Sequence, residues 1–173
     1  MKNNWQVVLA GEGGQGLILA GRILSEAAII DGHNVSLTST YGIAARGGYS
    51  EAQVVISEQE LYYPKCLFPD LVLALTQQAY DRYADSVSND CLIIYDSKDV
   101  TNGRGKNEIG FDFKEALLTL GNLKVINSLF LGVILQKLNI VSRESMVKAL
   151  EKNLPPKIQD INLKAFNYGL ENQ

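Results

Sequence analysis

The most constraining feature of this 173-residue sequence is a short apolar run that ends on a cluster of glycines and restarts as a helix-period pattern. Trp5 to Ala10 (WQVVLA) reads as a buried strand. Gly11-Glu12-Gly13-Gly14-Gln15-Gly16 follows, and Leu17 to Ile30 then places Leu17, Ala20, Leu24 and Ala27 on one helical face, with Ile23 and Ile30 beside it. Gly32 ends the helix, and Asn34 to Thr40 (NVSLTST) reads as a second strand. Strand, glycine loop, helix and strand in that order imply a parallel arrangement joined by a crossover, the opening unit of an α/β sheet.

Further strands are expected at Glu51 to Ser57, Leu71 to Thr76 and Cys91 to Tyr95, with a helix at Gln77 to Ala84. Ser97 to Gly110 is polar and carries three glycines, so the expectation there is exposed, partly irregular chain. The last third reads as helical, at Phe113 to Leu120, Ser128 to Leu138, Arg143 to Asn153 and about Ile158 to Leu170. Ser142, with Ser145 three residues on, has the pattern of a helix cap, and Pro155-Pro156 breaks the chain before the final helix. The expected fold is α/β: a three-layer, mostly parallel, doubly wound, Rossmann-like sheet with a helical C-terminal third. Residues 1–173 are expected to form one domain, since the sequence shows no repeat, low-complexity tract or linker.

Bulk composition narrows the function. An apolar fraction of 46% and a charged fraction of 20% suit a folded domain, and a formal net charge of -3 gives no footprint for nucleic acid. Cys66 and Cys91 are the only cysteines and form no CxxC pair, so this chain alone is not expected to hold zinc or an iron–sulfur cluster. The first residues lead into a run too short for a signal peptide, and nothing approaches a membrane span, so a cytoplasmic protein without membrane contact is expected.

Gly11, Gly13 and Gly16 match G-x-G-x-x-G between a strand and a helix, where backbone N–H groups and the helix dipole favour an anion. A dinucleotide site also wants an acid at the end of the second strand, where this chain has Thr38-Ser39-Thr40. Glu12 adds a carboxylate inside the loop that would repel a pyrophosphate, and no Lys follows Gly16 as a Walker A loop requires. Gly21, inside the helix, reads as close packing on the sheet. The second loop, Thr40 to Ser50 (TYGIAARGGYS), puts three glycines and Arg46 after a strand's carboxyl end, the rim where open α/β sheets place ligands and contacts. Both loops are therefore expected at one edge of the sheet. His33, the only histidine, is expected as an exposed turn residue, and no Ser-His-acid set can be assembled. Glu12 and Asp96 fall at strand ends as a carboxylate pair, although Asp96 before Ser97 reads more simply as a turn residue.

Taken together, GEGGQG, LILAGRILSEAA and TYGIAARGGYSEAQVVIS resemble the gamma subunit of 2-oxoacid:ferredoxin (acceptor) oxidoreductases and the corresponding domain of pyruvate:ferredoxin oxidoreductases. The family pattern, a GxGGQG loop and then S/T-Y-G-x-x-x-R-G-G-x-S, maps onto Thr40, Tyr41, Gly42, Arg46, Gly47, Gly48 and Ser50. The likeness continues through Tyr62-Tyr63-Pro64-Lys65, through Pro69 to Leu75, and at Asn127 to Gly132. Ile43-Ala44 departs from it, where many members have Pro with an acid nearby.

The resemblance implies a subunit without catalytic residues, in a complex that oxidatively decarboxylates a 2-oxoacid with coenzyme A to acyl-CoA and carbon dioxide and passes electrons to ferredoxin or a similar acceptor. The look is closest to the 2-oxoglutarate branch, ahead of pyruvate and branched-chain 2-oxoacids. Thiamine diphosphate, magnesium, iron–sulfur clusters and coenzyme A are expected in or with alpha, beta and in some cases delta partner subunits. The residues expected to contact cofactor or partner are Gly11, Gly13, Gly14, Gln15, Gly16, Thr40, Tyr41, Gly42, Arg46, Gly47, Gly48 and Ser50. An isolated chain is expected to be inactive and able to pair as a homodimer. The competing readings are a free-standing NADP-binding Rossmann-type oxidoreductase, with Arg46 on the 2′-phosphate, and an assembly module with no link to redox chemistry.

Overall fold

The structure, a computed structural model, describes residues 4–41, 48–103 and 107–172, with the backbone alone at Tyr41. Among the described residues six strands form one sheet in the order β2-β3-β1-β4-β5-β6. They are β1 (Asn4–Glu12), β2 (Asn34–Tyr41), β3 (Tyr49–Ser57), β4 (Leu71–Ala74), β5 (Leu92–Asp96) and β6 (Glu108–Phe111). The helices are α1 (Leu17–Ile30), α2 (Gln77–Ala84), α3 (Phe113–Leu120), α4 (Ile126–Lys137), α5 (Arg143–Asn153) and α6 (Pro156–Glu171), with a 3-10 turn at Leu123–Val125 before α4.

The expected α/β architecture is present, and two features refine it. β1, β4, β5 and β6 pair in parallel, but β3 runs antiparallel to both β1 and β2. β1 and β2 are thus parallel, as the strand–helix–strand unit requires, yet β3 is inserted between them. The polar stretch before Gly110, expected to be exposed and partly irregular, supplies at its end β6 at the sheet edge. Four residues with one exposed glycine carry too little apolar alternation to announce a strand. They are held by pairing with Ile93 to Asp96 and by the Tyr80 hydroxyl, which donates to Glu108 at 2.6 Å.

The sheet has a thick side and a thin side. Val7, Leu9, Val54, Ile56, Leu71, Leu73 and Ile94 face the core built with α1, α3, α4, α5 and α6. Val8, Ala10, Val72, Ala74 and Ile93 face a smaller cluster with Ala79 and Tyr80 of α2. Strands buried on both faces explain the near-continuous apolar runs in β1 and β4. α1 follows the sequence reading at its buried positions, except that Ile30 is 38% exposed because the helix ends there and the chain turns away to β2. Gly21 does pack on the sheet: a Cβ there would lie 3.0 Å from both Ala52 Cβ and Leu37 Cδ1.

On the thick side α4 and α6 cross at two glycines. A Cβ on Gly132 would collide with the Phe166 carbonyl and the Leu170 amide, and one on Gly169 with the Leu129 carbonyl. Beside this crossing the buried Ser128 hydroxyl donates to Asn162 Oδ1 at 2.7 Å, and Asn162 Nδ2 donates to the Ile158 carbonyl at 2.8 Å, so the polar groups carried in are satisfied. α5 begins with the expected cap, Ser142 accepting from the Ser145 N–H at 3.1 Å. Asp31, just past α1, then accepts from the Ser142 N–H and from both hydroxyls, at 2.6–2.8 Å. That joins the end of α1 to the start of α5, where the helix dipole also favours a carboxylate.

Candidate functional site

The two glycine loops leave from one ribbon. β1 and β3 are antiparallel, so the carboxyl end of β1 lies against the start of β3, with Gly11 opposite Ser50 and Glu12 opposite Tyr49. The Gly13 N–H donates to the Gly48 carbonyl at 2.9 Å, stitching the loops together beyond the last strand pair. Thr40 and Tyr41 at the end of β2 pair with Glu51 and Ser50, so all three chain ends share this rim. The structure brings together Gly11, Gly13, Gly14, Gln15, Gly16, Thr40, Tyr41, Gly48 and Ser50. Gly42, Arg46 and Gly47 lie outside the described residues.

Within the first loop the Glu12 N–H donates to Gln15 Oε1 at 2.7 Å and the Gln15 N–H to the Glu12 carbonyl at 3.3 Å. Gln15 therefore folds back over Gly11, where a Cβ would collide with its side-chain oxygen. Gly14 (φ 101°) and Gly16 (φ 74°) hold left-handed conformations that an L side chain rarely adopts. Gly16 also starts α1 with no side-chain cap, and a Cβ there would come within 3.2 Å of Asn127 Cβ on α4. Asn127 is buried at the start of the Asn127 to Gly132 stretch; one end of that stretch backs the loop and the other admits α6.

Glu12, Gly13 and Gly14 are exposed, so the rim presents a carboxylate and bare backbone to its surroundings. That suits contact with another backbone better than seating of a pyrophosphate. Asp96 lies two strands away from β1, across β4, and is the buried last residue of β5, opposite Phe111, where it accepts from the Lys98 N–H at 2.9 Å. Burial raises its carboxyl above the ordinary range, aided by the neighbouring Asp99 and Asp112 carboxylates, while the Lys98 N–H works against the rise. His33 is half-buried in the α1–β2 turn rather than exposed. Among the described residues, no group of three His, Cys, Asp or Glu side chains is placed to hold a metal ion.

Sequence reasoning missed a polar network on the thin side. Glu51 is only 3% exposed, yet it accepts from the Tyr83 hydroxyl and Gln53 Nε2, each at 2.6 Å, and from the Tyr49 hydroxyl. Burial, then the bond to Glu51, pushes both phenols far above their usual range. Arg82 stacks over the Tyr49 ring at 4.8 Å. Gln53 Oε1 accepts from the Cys66 N–H at 3.2 Å, and burial, with Glu51 next, pushes the Cys66 thiol up to about 12. Tyr49 follows Gly48 directly, so this network fixes the base of the second loop. The one available signal was an acid at the start of an expected strand, Glu51 to Ser57, that is otherwise uncharged.

Residues 6–172 match the model of the pyruvate ferredoxin/flavodoxin oxidoreductase family. The chain belongs to that family. It is 36% identical to the 2-oxoglutarate synthase subunit KorC of Methanocaldococcus jannaschii, over 99% of this chain and 95% of that one. The crystal structure of the keto/oxoacid ferredoxin oxidoreductase gamma subunit of Geobacter sulfurreducens superposes with a TM-score of 0.84 at 35% identity, covering 96% of each chain. Ketoisovalerate oxidoreductase subunit VorA of Methanothermobacter thermautotrophicus is 33% identical over 96% of this chain, which spans only 36% of that longer polypeptide. This family member is thus a gamma-type subunit of a 2-oxoacid oxidoreductase, as the paired glycine motifs indicated. No helix among the described residues is long and apolar enough to cross a membrane.

Proposed function

We propose that this chain is the gamma subunit of a 2-oxoglutarate:ferredoxin oxidoreductase. In that complex, 2-oxoglutarate and coenzyme A give an acyl-CoA and carbon dioxide, and two electrons pass to ferredoxin or a like acceptor. Full-length similarity to KorC supports 2-oxoglutarate over pyruvate or branched-chain 2-oxoacids. The observation that carries the reading is the Gly13–Gly48 backbone bond, which fuses the two family loops into one rim beside the open N-terminus of α1.

The chain's own part is to hold and to wall. The rim is side-chain-poor, so a neighbouring subunit's backbone can approach it closely. The backbone N–H groups at the start of α1 suit a carboxylate or phosphate held at that boundary. Arg46 is assigned a charge-assisted bond to such a group. Thiamine diphosphate, which stabilises the carbanion left when a 2-oxoacid loses carbon dioxide, belongs with magnesium and the iron–sulfur clusters in the alpha and beta subunits, with delta where present. Residues 1–173 act as one domain of the cytoplasmic complex.

The test is purification of the complex carrying Gly13→Val or Arg46→Ala. Either change is expected to cut acyl-CoA formation at least tenfold, while the isolated chain keeps its thermal midpoint within a few degrees. Full activity and unchanged complex size in both variants would refute the role. Micromolar NADP binding by the isolated chain would favour a nucleotide-binding oxidoreductase instead. Companions without redox cofactors would favour a plain assembly module.

A further inference from the structure

The second rim loop enters β3 through a polar set placed inside the sheet. Tyr49, Glu51 and Gln53 stand two residues apart, so they share one face of the strand, the thin one. Glu51 is 3% exposed and is the only charged residue of β3. It accepts from the Tyr83 hydroxyl of α2 and from Gln53 Nε2, each at 2.6 Å, and from the Tyr49 hydroxyl. The Gln53 amide is oriented from its far side: Oε1 accepts from the Cys66 N–H at 3.2 Å, which leaves Nε2 for Glu51. Arg82, next to Tyr83 on α2, stacks over the Tyr49 ring. A carboxylate in such a place is costly unless its donors stay with it.

This set supplies what the apolar part of β3 cannot. Side chains alternate with a period of two, so a slip of one residue would turn the apolar row to the wrong face, but a slip of two would not. On the thick face a two-residue slip mostly exchanges Ala52, Val54 and Ile56 for one another. On the thin face the same slip carries Glu51 away from Tyr83 and leaves a buried carboxylate without its donor from α2. The rim depends on that register. Gly11 lies opposite Ser50 and Glu12 opposite Tyr49, and the next step along the ribbon is the Gly13 N–H on the Gly48 carbonyl.

We infer that Glu51, with Tyr49 and Tyr83, is a positioning residue: held from α2, it fixes the register at which β3 meets β1 and so keeps Gly48 against Gly13. Its effect on the reaction passes through the rim and rests on the gamma-subunit reading above. Its effect on the rim itself does not.

Gly13 is exposed, so its bond to Gly48 is what shields its amide from exchange. The test measures hydrogen exchange by NMR in the full chain at Gly13 and, as a reference in the α4–α6 core, at Val133. It compares the wild type with Tyr83→Phe, Glu51→Ala and Glu51→Gln. Tyr83→Phe removes one hydroxyl and keeps the ring, so it reports even where Glu51→Ala fails to fold. Tyr83→Phe and Glu51→Ala are expected to speed exchange at Gly13 at least fivefold more than at Val133. Glu51→Gln, which keeps an acceptor for the phenols, is expected to recover most of the protection. In the purified complex, acyl-CoA formation is expected to fall in the same order. Unchanged exchange at Gly13, or equal acceleration at both amides, would reduce the set to a general stabiliser and overturn the inference, with the gamma-subunit reading untouched. A loosened rim in a complex of full activity would overturn its part in the reaction. A wild-type complex that forms no acyl-CoA would overturn the gamma-subunit reading alone, since exchange at Gly13 still decides the positioning.

Discussion

The two faces of the sheet solve the same burial problem by different means. The thick face is closed by shape: five helices cover it, and α4 meets α6 at a crossing that only glycine at 132 and 169 permits. The thin face has one eight-residue helix and a strap, and it buries a carboxylate held by two phenols and an amide. A close-packed interior tolerates little added volume, whereas a buried polar cluster tolerates little loss of a partner. The thick face is therefore held by close packing of its helices. The thin face is pinned by bonds and ends in exposed aromatic side chains.

Substitutions can break this contrast at either face. The largest effect is expected from Gly132→Val, which drives side-chain atoms into the α6 backbone and should cost about 3 kcal/mol or more by chemical denaturation. A loss under about 0.5 kcal/mol would mean the helices can part and the crossing does not depend on shape. Next, Glu51→Ala strips the shared acceptor from Tyr49 and Tyr83 and should cost about 2–3 kcal/mol. Glu51→Gln, which keeps an acceptor oxygen, is expected to recover part of that. Equal losses in the two variants would show that charge, not hydrogen bonding, holds the cluster.

Asp31→Ala removes the tie between α1 and α5 and should cost about 1 kcal/mol, as for loss of a helix cap. This contribution has a defined pH window. Burial pushes the Asp31 carboxyl up, but the bonds from Ser145 and Ser142, with His33 nearby, outweigh it and leave it below 3.8. A group titrating lower in the folded state stabilises fully above its unfolded value and loses that contribution as pH falls through the folded one. The gap between wild type and Asp31→Ala should thus be constant at neutral pH and close in acid below about pH 4. A gap that widens in acid would be inconsistent with the assignment. The smallest effect is expected from Tyr62→Ala in the isolated chain, within about 0.5 kcal/mol, because the ring covers little of the chain's own surface. A larger loss would make Tyr62 part of the fold.

The features legible in the sequence are those set by neighbours a few residues apart. The bounds of α5 and the Ser142 cap follow from a hydroxyl three residues from a free N–H, and the strand–loop–helix follows from an apolar run ending on glycines that accept left-handed angles. The rim was legible as two loops at one edge, because each follows or precedes a strand of recognisable pattern.

Tertiary structure alone decided the rest. Inserting β3 between β1 and β2, recruiting the polar segment before Gly110 as β6, placing Tyr83 over Glu51 and crossing α4 with α6 at two glycines all depend on which distant segments meet. Local preference in these stretches is weak or opposed, and the decision comes from hydrogen bonds and shape between segments distant in sequence, 32 residues apart for Tyr83 and Glu51 and 34 for Ser128 and Asn162, which no short window of sequence contains.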